Sequence, residues 1–138
     1  MTEVSITKKS PKEECFFGLG DKSCQLNLKG KKLQNWCTDS FGYSKDTDPL
    51  YRAIPFYFGL NKGIGYGIFF DNTFRTHFDF DEQGKGKMSF AAEGGEVDYY
   101  FFFGPELISV AEQYMQLTGR PELPPIWSFG FHLSLIHI

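Results

Sequence analysis

"FRTHFDF", Phe74 to Phe80, alternates without a break: Phe74, Thr76, Phe78 and Phe80 fall on one face of an extended chain, and Arg75, His77 and Asp79 on the other. Successive side chains of a strand point to opposite faces, so the stretch predicts a half-buried β-strand with its phenylalanines in a core. His77 then faces water or a partner. Working outward, "IPFYFGL" (Ile54 to Leu60), "YGIFFD" (Tyr66 to Asp71), "KMSFAA" (Lys87 to Ala92) and "EVDYYFFF" (Glu96 to Phe103) read as further strands. The stretches between them, "NKGIG", "DNT", "EQGKGK" and "EGG", are turn formers. Short strands at this spacing predict a mainly β fold, an antiparallel β-sandwich. Glycine-rich "GLNKGIGYG" falls between two strands instead of opening a helix, so it predicts a hairpin and not a phosphate cradle.

One helix follows the last of these strands. Gly104-Pro105 opens it with proline in the first turn, and Glu106 sits where the helix dipole favours an acid. Leu107, Val110, Ala111, Tyr114 and Leu117 form an apolar stripe ended by Gly119, so the helix is expected to lie on the sandwich. Pro121, Pro124 and Pro125 punctuate what comes next, and a fresh apolar stretch begins at Trp127.

A chain of 138 residues, 41% hydrophobic and 22% charged, has room for one domain with a sizeable core; neither a membrane span nor disorder fits. The formal charge of -3, with lysines scattered through Lys8, Lys9, Lys12, Lys29, Lys31 and Lys32, argues against nucleic acid as a partner. The lysine-rich start reads as a solvated arm or turn. Cys15, Cys24 and Cys37 are odd in number and lack metal-ligand spacing with His77, His132 or His137, so free thiols in or near a core are expected, with no metal and no cofactor. Most of the 16 phenylalanines occupy strand positions, which predicts core packing and an interface to a neighbouring domain in preference to a sugar-stacking platform. No apolar signal region follows Met1, and compartment is not read from that.

No single motif carries catalysis: there is no G-x-S-x-G, no phosphate loop at a strand-to-helix junction and no metal-spaced histidine pair. More informative is "NWCTDSFGYSKDTDPLYRAIPF", Asn35 to Phe56, a polar loop with aromatics between two strands. Its Asp39, Asp46 and Asp48 supply carboxylates able to accept hydrogen bonds from hydroxyl groups, or to cap turns through their own backbone.

The blocks "FFGLGDK", "NWCTDSFGY", "TDPLYRAIPFYFGL", "GYGIFFDNTFRTHFDF", "AEGGEVDYYFFFGP" and "EQYMQLTGRPELPPIWSFGFH" fall in the order and approximate spacing of the N-terminal region of family 31 glycoside hydrolases. The chain resembles these α-glucosidases and their relatives from about Glu14 to His132. Asp21 stands where glutamate is common. The resemblance implies a galactose-mutarotase-like β-sandwich packed beside a catalytic (β/α)8 barrel. On that basis residues 1–119 are expected to be an incomplete sandwich with its terminal helix, 120–126 a linker, and 127–134 the first barrel strand. Leu133 to Ile138 is also a literal translation of CTGTCTCTTATACACATC, a transposase mosaic end used as a sequencing adapter, so 135–138 are expected to be a non-native tail.

Members of the family release α-linked glucose from oligosaccharide ends with retention, using two carboxyl groups that lie on the barrel. No catalytic residue is therefore expected in this chain, and none of its acids is promoted to that role. Asp39 matches an aspartate that contacts the bound sugar, which makes it the expected substrate-binding residue. Asp48 is expected to order the loop through turn hydrogen bonds, with Tyr51 and Arg52 as interface residues. The implied partners are an α-linked oligosaccharide and the barrel. Alternatives are a non-catalytic carbohydrate-binding module, an α-xylosidase, transglycosylase or lyase of the same family, and an aldose epimerase with its acid and base inside the sandwich. A sheet face left unfilled is expected to promote self-association.

Overall fold

The computed structural model describes residues 3–130. Eight strands, β1 (Val4–Lys9), β2 (Cys15–Gly20), β3 (Lys32–Asn35), β4 (Ala53–Asn61), β5 (Ile64–Phe70), β6 (Thr76–Asp79), β7 (Lys87–Ala92) and β8 (Tyr99–Gly104), precede one helix, α1 (Leu107–Thr118). They form two four-stranded sheets, ordered β1-β7-β6-β3 and β2-β4-β5-β8, in which every neighbouring pair is antiparallel. The fold is mainly β, a sandwich of two antiparallel sheets.

Aromatic side chains fill the space between the sheets. Tyr57 of β4 meets Phe78 and Phe80 edge-on at 6.1 and 5.4 Å between ring centroids, Phe16 of β2 lies 4.7 Å from Phe80, and Phe70 of β5 lies 5.0 Å from Phe90 of β7. Edge-to-face pairs of this kind contribute about 0.5–1.5 kcal/mol each beyond the area they bury. Thr76, Phe78 and Phe80 point inward as the alternation of "FRTHFDF" predicts, but Phe74 does not. Asn72 Oδ1 accepts the Phe74 N–H at 2.8 Å, an Asx turn that holds Phe74 outside the ladder, where its ring covers Gly94 and Gly95.

The second sheet is covered on both faces, which explains why "IPFYFGL" is apolar without alternation. Tyr57 faces the first sheet, while Phe56 stacks on Tyr114 of α1 at 4.1 Å and Val110 is fully buried. Gly67 permits this approach, because a Cβ there would stand 2.7 Å from Val110 Cγ1. The helix begins later than its proline suggests. The Pro105 carbonyl accepts the Gly65 N–H at 3.3 Å, prolonging the β5–β8 ladder, so Glu106 becomes an extended N-cap and the stripe's last member, Leu117, stays 45% exposed.

The lysine-rich start is a strand and not a solvated arm. Val4, Ile6 and Lys8 alternate with exposed Ser5, Thr7 and Lys9, and β1 pairs with β7 over its whole length. Lys8 turns inward because Glu14, 3% exposed, accepts its ammonium at 2.9 and 3.0 Å. Tyr66 Oη donates to the same carboxylate at 2.7 Å. Burial pushes the Lys8 ammonium below the usual lysine range, against the hydrogen bond and charge of Glu14, and burial likewise raises the Tyr66 phenol. Gly59, paired with Tyr66 across the hairpin, gives the ring its path: a Cβ at Gly59 would stand 2.0 Å from Tyr66 Cζ. The hairpin itself turns through Lys62 and Gly63, both at positive φ (51° and 80°), the two-residue connection that suits strand twist.

Beyond Gly119 the linker is exposed, and Ile126–Phe129 form a single 3-10 turn where the sequence predicts a strand starting at Trp127. Both the N–H and the hydroxyl of Ser128 return to the Pro125 carbonyl, at 2.9 and 2.7 Å, the bonds that close this turn. The remainder of the predicted 127–134 element, His132 and His137, and the expected tail 135–138 lie outside the described residues.

A cavity of about 350 Å3, lined by Ile6, Lys8, Tyr66, Phe90, Tyr99 and Phe101, opens between the edge strands β1 and β8. Phe101 and Phe103 beside it are 58% and 61% exposed. Two outcomes are expected. Gly59→Ala drives Tyr66 off Glu14 and lowers stability by about 1–3 kcal/mol, the usual range for overpacking, as read from urea unfolding. Sedimentation velocity at rising concentration shows self-association through the open aromatic edge; a monomer at every concentration contradicts it.

Candidate functional site

The loop of residues 36–52 leaves β3 on the first sheet and enters β4 on the second, so its two ends are held by different layers. Hydrogen bonds within it close a compact frame. Thr38 N–H donates to Leu50 O at 2.8 Å, Ser40 Oγ to Pro49 O at 3.1 Å, and Tyr51 Oη to Ser40 O at 2.8 Å. Asp39 sits between the tethered Thr38 and Ser40. It is exposed, and among the described residues its carboxylate has neither hydrogen bond nor ion pair.

The other aspartates of the loop are committed elsewhere. Asp46 pairs with Lys31 at 2.8 Å, and that hydrogen bond holds its carboxyl below the usual range. Asp48 does order the loop, but not through its own turn: its two oxygens accept Lys22 Nζ, at 2.6 Å, and the backbone N–H of Gln34. Arg52 grips Asp21 at the end of β2, with Nε 3.0 Å from both carboxylate oxygens and Nη2 2.8 Å from one. Tyr43 packs edge-on against Tyr51 at 6.2 Å. Lys22 carried no signal in the sequence, since a lone lysine in a turn reads as solvated.

Beside the loop lies a cavity of about 480 Å3 whose lining includes Asn35, Trp36, Cys37, Phe69, Asp71 and Phe74. The sequence does not reveal that "NW" and "DNTF" meet here. Arg75 stacks its guanidinium 5.1 Å above the Trp36 ring, and the buried Asn35 Oδ1 has no hydrogen-bond partner among the described residues. Cys37 is exposed and Cys15 and Cys24 are half-buried, all as free thiols. No group of three or more histidines, cysteines or acids among the described residues is arranged to hold a metal ion.

Residues 1–79 match the family model of the glycosyl hydrolase 31 N-terminal galactose mutarotase-like domain. The chain is 42% identical over 133 residues to alpha-glucosidase 2 of Bacillus thermoamyloliquefaciens, covering 96% of this chain and 17% of that protein. It is 34% identical to alpha-xylosidase XylQ of Lactiplantibacillus pentosus, covering 88% of this chain and 15% of the relative. Among solved structures, the GH31 dextranase of Flavobacterium johnsoniae complexed with glucose superposes with a TM-score of 0.85 at 40% identity, covering 94% of this chain and 16% of that one. The chain thus spans less than a fifth of the length of each.

The Asp21–Arg52 tether gives the site a pH dependence of defined sign. The hydrogen bond from Arg52 holds the Asp21 carboxyl below its ordinary value, so the folded-state pKa lies under the unfolded value of about 3.9. A depressed carboxyl contributes stability that is complete above the unfolded pKa and is lost as pH falls through the folded one. A carbon-detected NMR titration of Asp21 is expected to show a midpoint below about 3.9, with Arg52 signals shifting in step. A midpoint at or above that value removes the tether.

Proposed function

Because this chain belongs to glycoside hydrolase family 31, and carries that family's N-terminal galactose-mutarotase-like domain, we propose that it forms the substrate-bordering sandwich of a retaining α-glucosidase acting on terminal α-linked glucose in oligosaccharides. Glycosidic cleavage with retention uses two carboxyl groups about 5–5.5 Å apart, one attacking the anomeric carbon and one protonating the leaving oxygen. Three of the carboxylates drawn in from water are held by lysines, Glu14 by Lys8, Asp48 by Lys22 and Asp81 by Lys29, and Asp21 is held by Arg52. A carboxylate occupied by a cation in this way is not free to attack an anomeric carbon or to meet a leaving oxygen. We assign the bond-breaking pair to a (β/α)8 barrel of the larger enzyme, led into by the linker 120–126, and assign to this chain the shaping of the barrel's mouth.

The observation that carries this reading is the uncommitted carboxylate of Asp39, set between two tethered neighbours while every other loop aspartate is paired. An ionised carboxylate accepting sugar hydroxyls contributes about 1.5–3 kcal/mol, and so binds without breaking bonds. The likeness to XylQ supports a second reading, an α-xylosidase, which differs in the sugar accepted and not in the role of this domain. An epimerase would need a free acid and base within the sandwich, and the buried carboxylates are engaged, Glu14 by Lys8 and Tyr66 and Asp81 by Lys29.

In the full-length enzyme, maltose hydrolysis followed by proton NMR is expected to release the α-anomer first. Asp39→Ala is expected to raise KM about 10- to 150-fold, the equivalent of the energy above. The chain by itself is expected to leave maltose intact. Turnover by the isolated chain, or an unchanged KM in the variant, defeats the proposal; faster cleavage of an α-xyloside than of maltose selects the second reading.

A further inference from the structure

The ion pair of Lys22 with Asp48 is drawn in from water: the lysine side chain is only 6% exposed and that of the aspartate only 12%. We propose that Lys22, acting through Asp48, is a positioning residue for the sugar-contacting aspartate. This rests on the assignment of Asp39 as that residue.

The argument starts from the edge of a sheet. β3 is an outer strand, paired with β6 on one side only. An outer strand leaves backbone N–H and C=O groups without ladder partners, and buried groups of this kind are costly unless satisfied. At Gln34 both are satisfied by one ion pair: Asp48 Oδ2 accepts the N–H, and Lys22 Nζ donates to the carbonyl. The two side chains are joined at 2.6 Å, so together they take the place of a neighbouring strand. A lysine suits the task because its ammonium has three donors and can serve a carboxylate and a carbonyl at once.

The constraint reaches Asp39 through the chain that follows Asp48. The next two carbonyls, Pro49 O and Leu50 O, receive Ser40 Oγ and Thr38 N–H, the two neighbours of Asp39. On the far side Ser23, adjacent to Lys22, takes Asp46 N–H on its carbonyl at 3.0 Å and donates its hydroxyl to Thr47 O at 2.9 Å. The Lys22–Ser23 turn thus grips residues 46–48 at several points, and residues 49–50 grip 38–40. Pre-ordering a binding group in this way lowers the entropy lost when the ligand arrives.

The test uses Lys22→Met, Asp48→Asn and the paired Lys22→Met/Asp48→Asn variant. In the 138-residue chain, hydrogen exchange by NMR is expected to quicken at least tenfold at the Thr38 and Asp46 amides, while the Phe78 and Met88 amides keep their protection. In the full-length enzyme, KM for maltose is expected to rise tenfold or more with kcat changed less than threefold, and Lys22→Arg to restore KM. Loop amides that stay protected, or a KM unmoved where Asp39→Ala moves it, overturn the proposal. Should a single variant unfold the core, the paired variant decides, since it leaves no buried charge unpaired: a rigid loop in it also overturns the proposal. If Asp39→Ala leaves KM unchanged, the Asp39 assignment fails and the positioning role falls with it, even where exchange shows the clamp; exchange and kinetics thus separate the two failures.

Discussion

The packing of one sheet on the other is the constraint on which the site depends. The loop that carries Asp39 starts on β3 of the first sheet and ends on β4 of the second. Its span is therefore set by the rings between the layers, with Tyr57 meeting Phe78 and Phe80 and Phe16 lying on Phe80. Interiors of this density are stiff, so a change of volume among those rings is transmitted to both anchors of the loop. Core and site are separate in the chain and mechanically joined in the fold.

Charge is handled by a repeated device. Glu14, Asp48 and Asp81 are each drawn in from water, and each is matched by a lysine. Lys8 and Lys29 also stand 5.3 and 5.6 Å from the centre of the Phe16 ring, where an aromatic face favours a cation. Buried pairs of this type add little net stability, but removing one partner strands the other at a cost of about 3–5 kcal/mol. Their value is geometric. The Glu14 pair joins β1 to the turn before β2 and receives Tyr66, while the Asp48 pair closes the edge of β3.

The alternation of "FRTHFDF" and "KMSFAA" was readable because those strands have a core on one side and solvent on the other, and β7 falls on the predicted residues. "IPFYFGL" was readable as a strand from its residue types alone, and its lack of alternation makes sense once α1 is seen to cover the outer face. β1 escaped because Lys8 occupies an inward position, where hydropathy has no knowledge of Glu14. Where the sequence predicts a strand from Trp127, Ile126–Phe129 form a 3-10 turn, with the Ser128 hydroxyl bonded to the Pro125 carbonyl.

For the site the division is similar. Asp39, Asp46 and Asp48 were visible as carboxylates in a polar loop, and six blocks in order were enough to indicate the family. Which of the three is committed was not visible, because Lys31, Gln34 and Lys22 lie 15, 14 and 26 positions away from their partners. By itself the sequence determined the period of the strands, the family and the residue types on offer, since these follow from local pattern and order. Tertiary structure alone decided which lysine meets which carboxylate, and so which aspartate stays free for a ligand, because pairing depends on distances set only when two sheets close on a shared core.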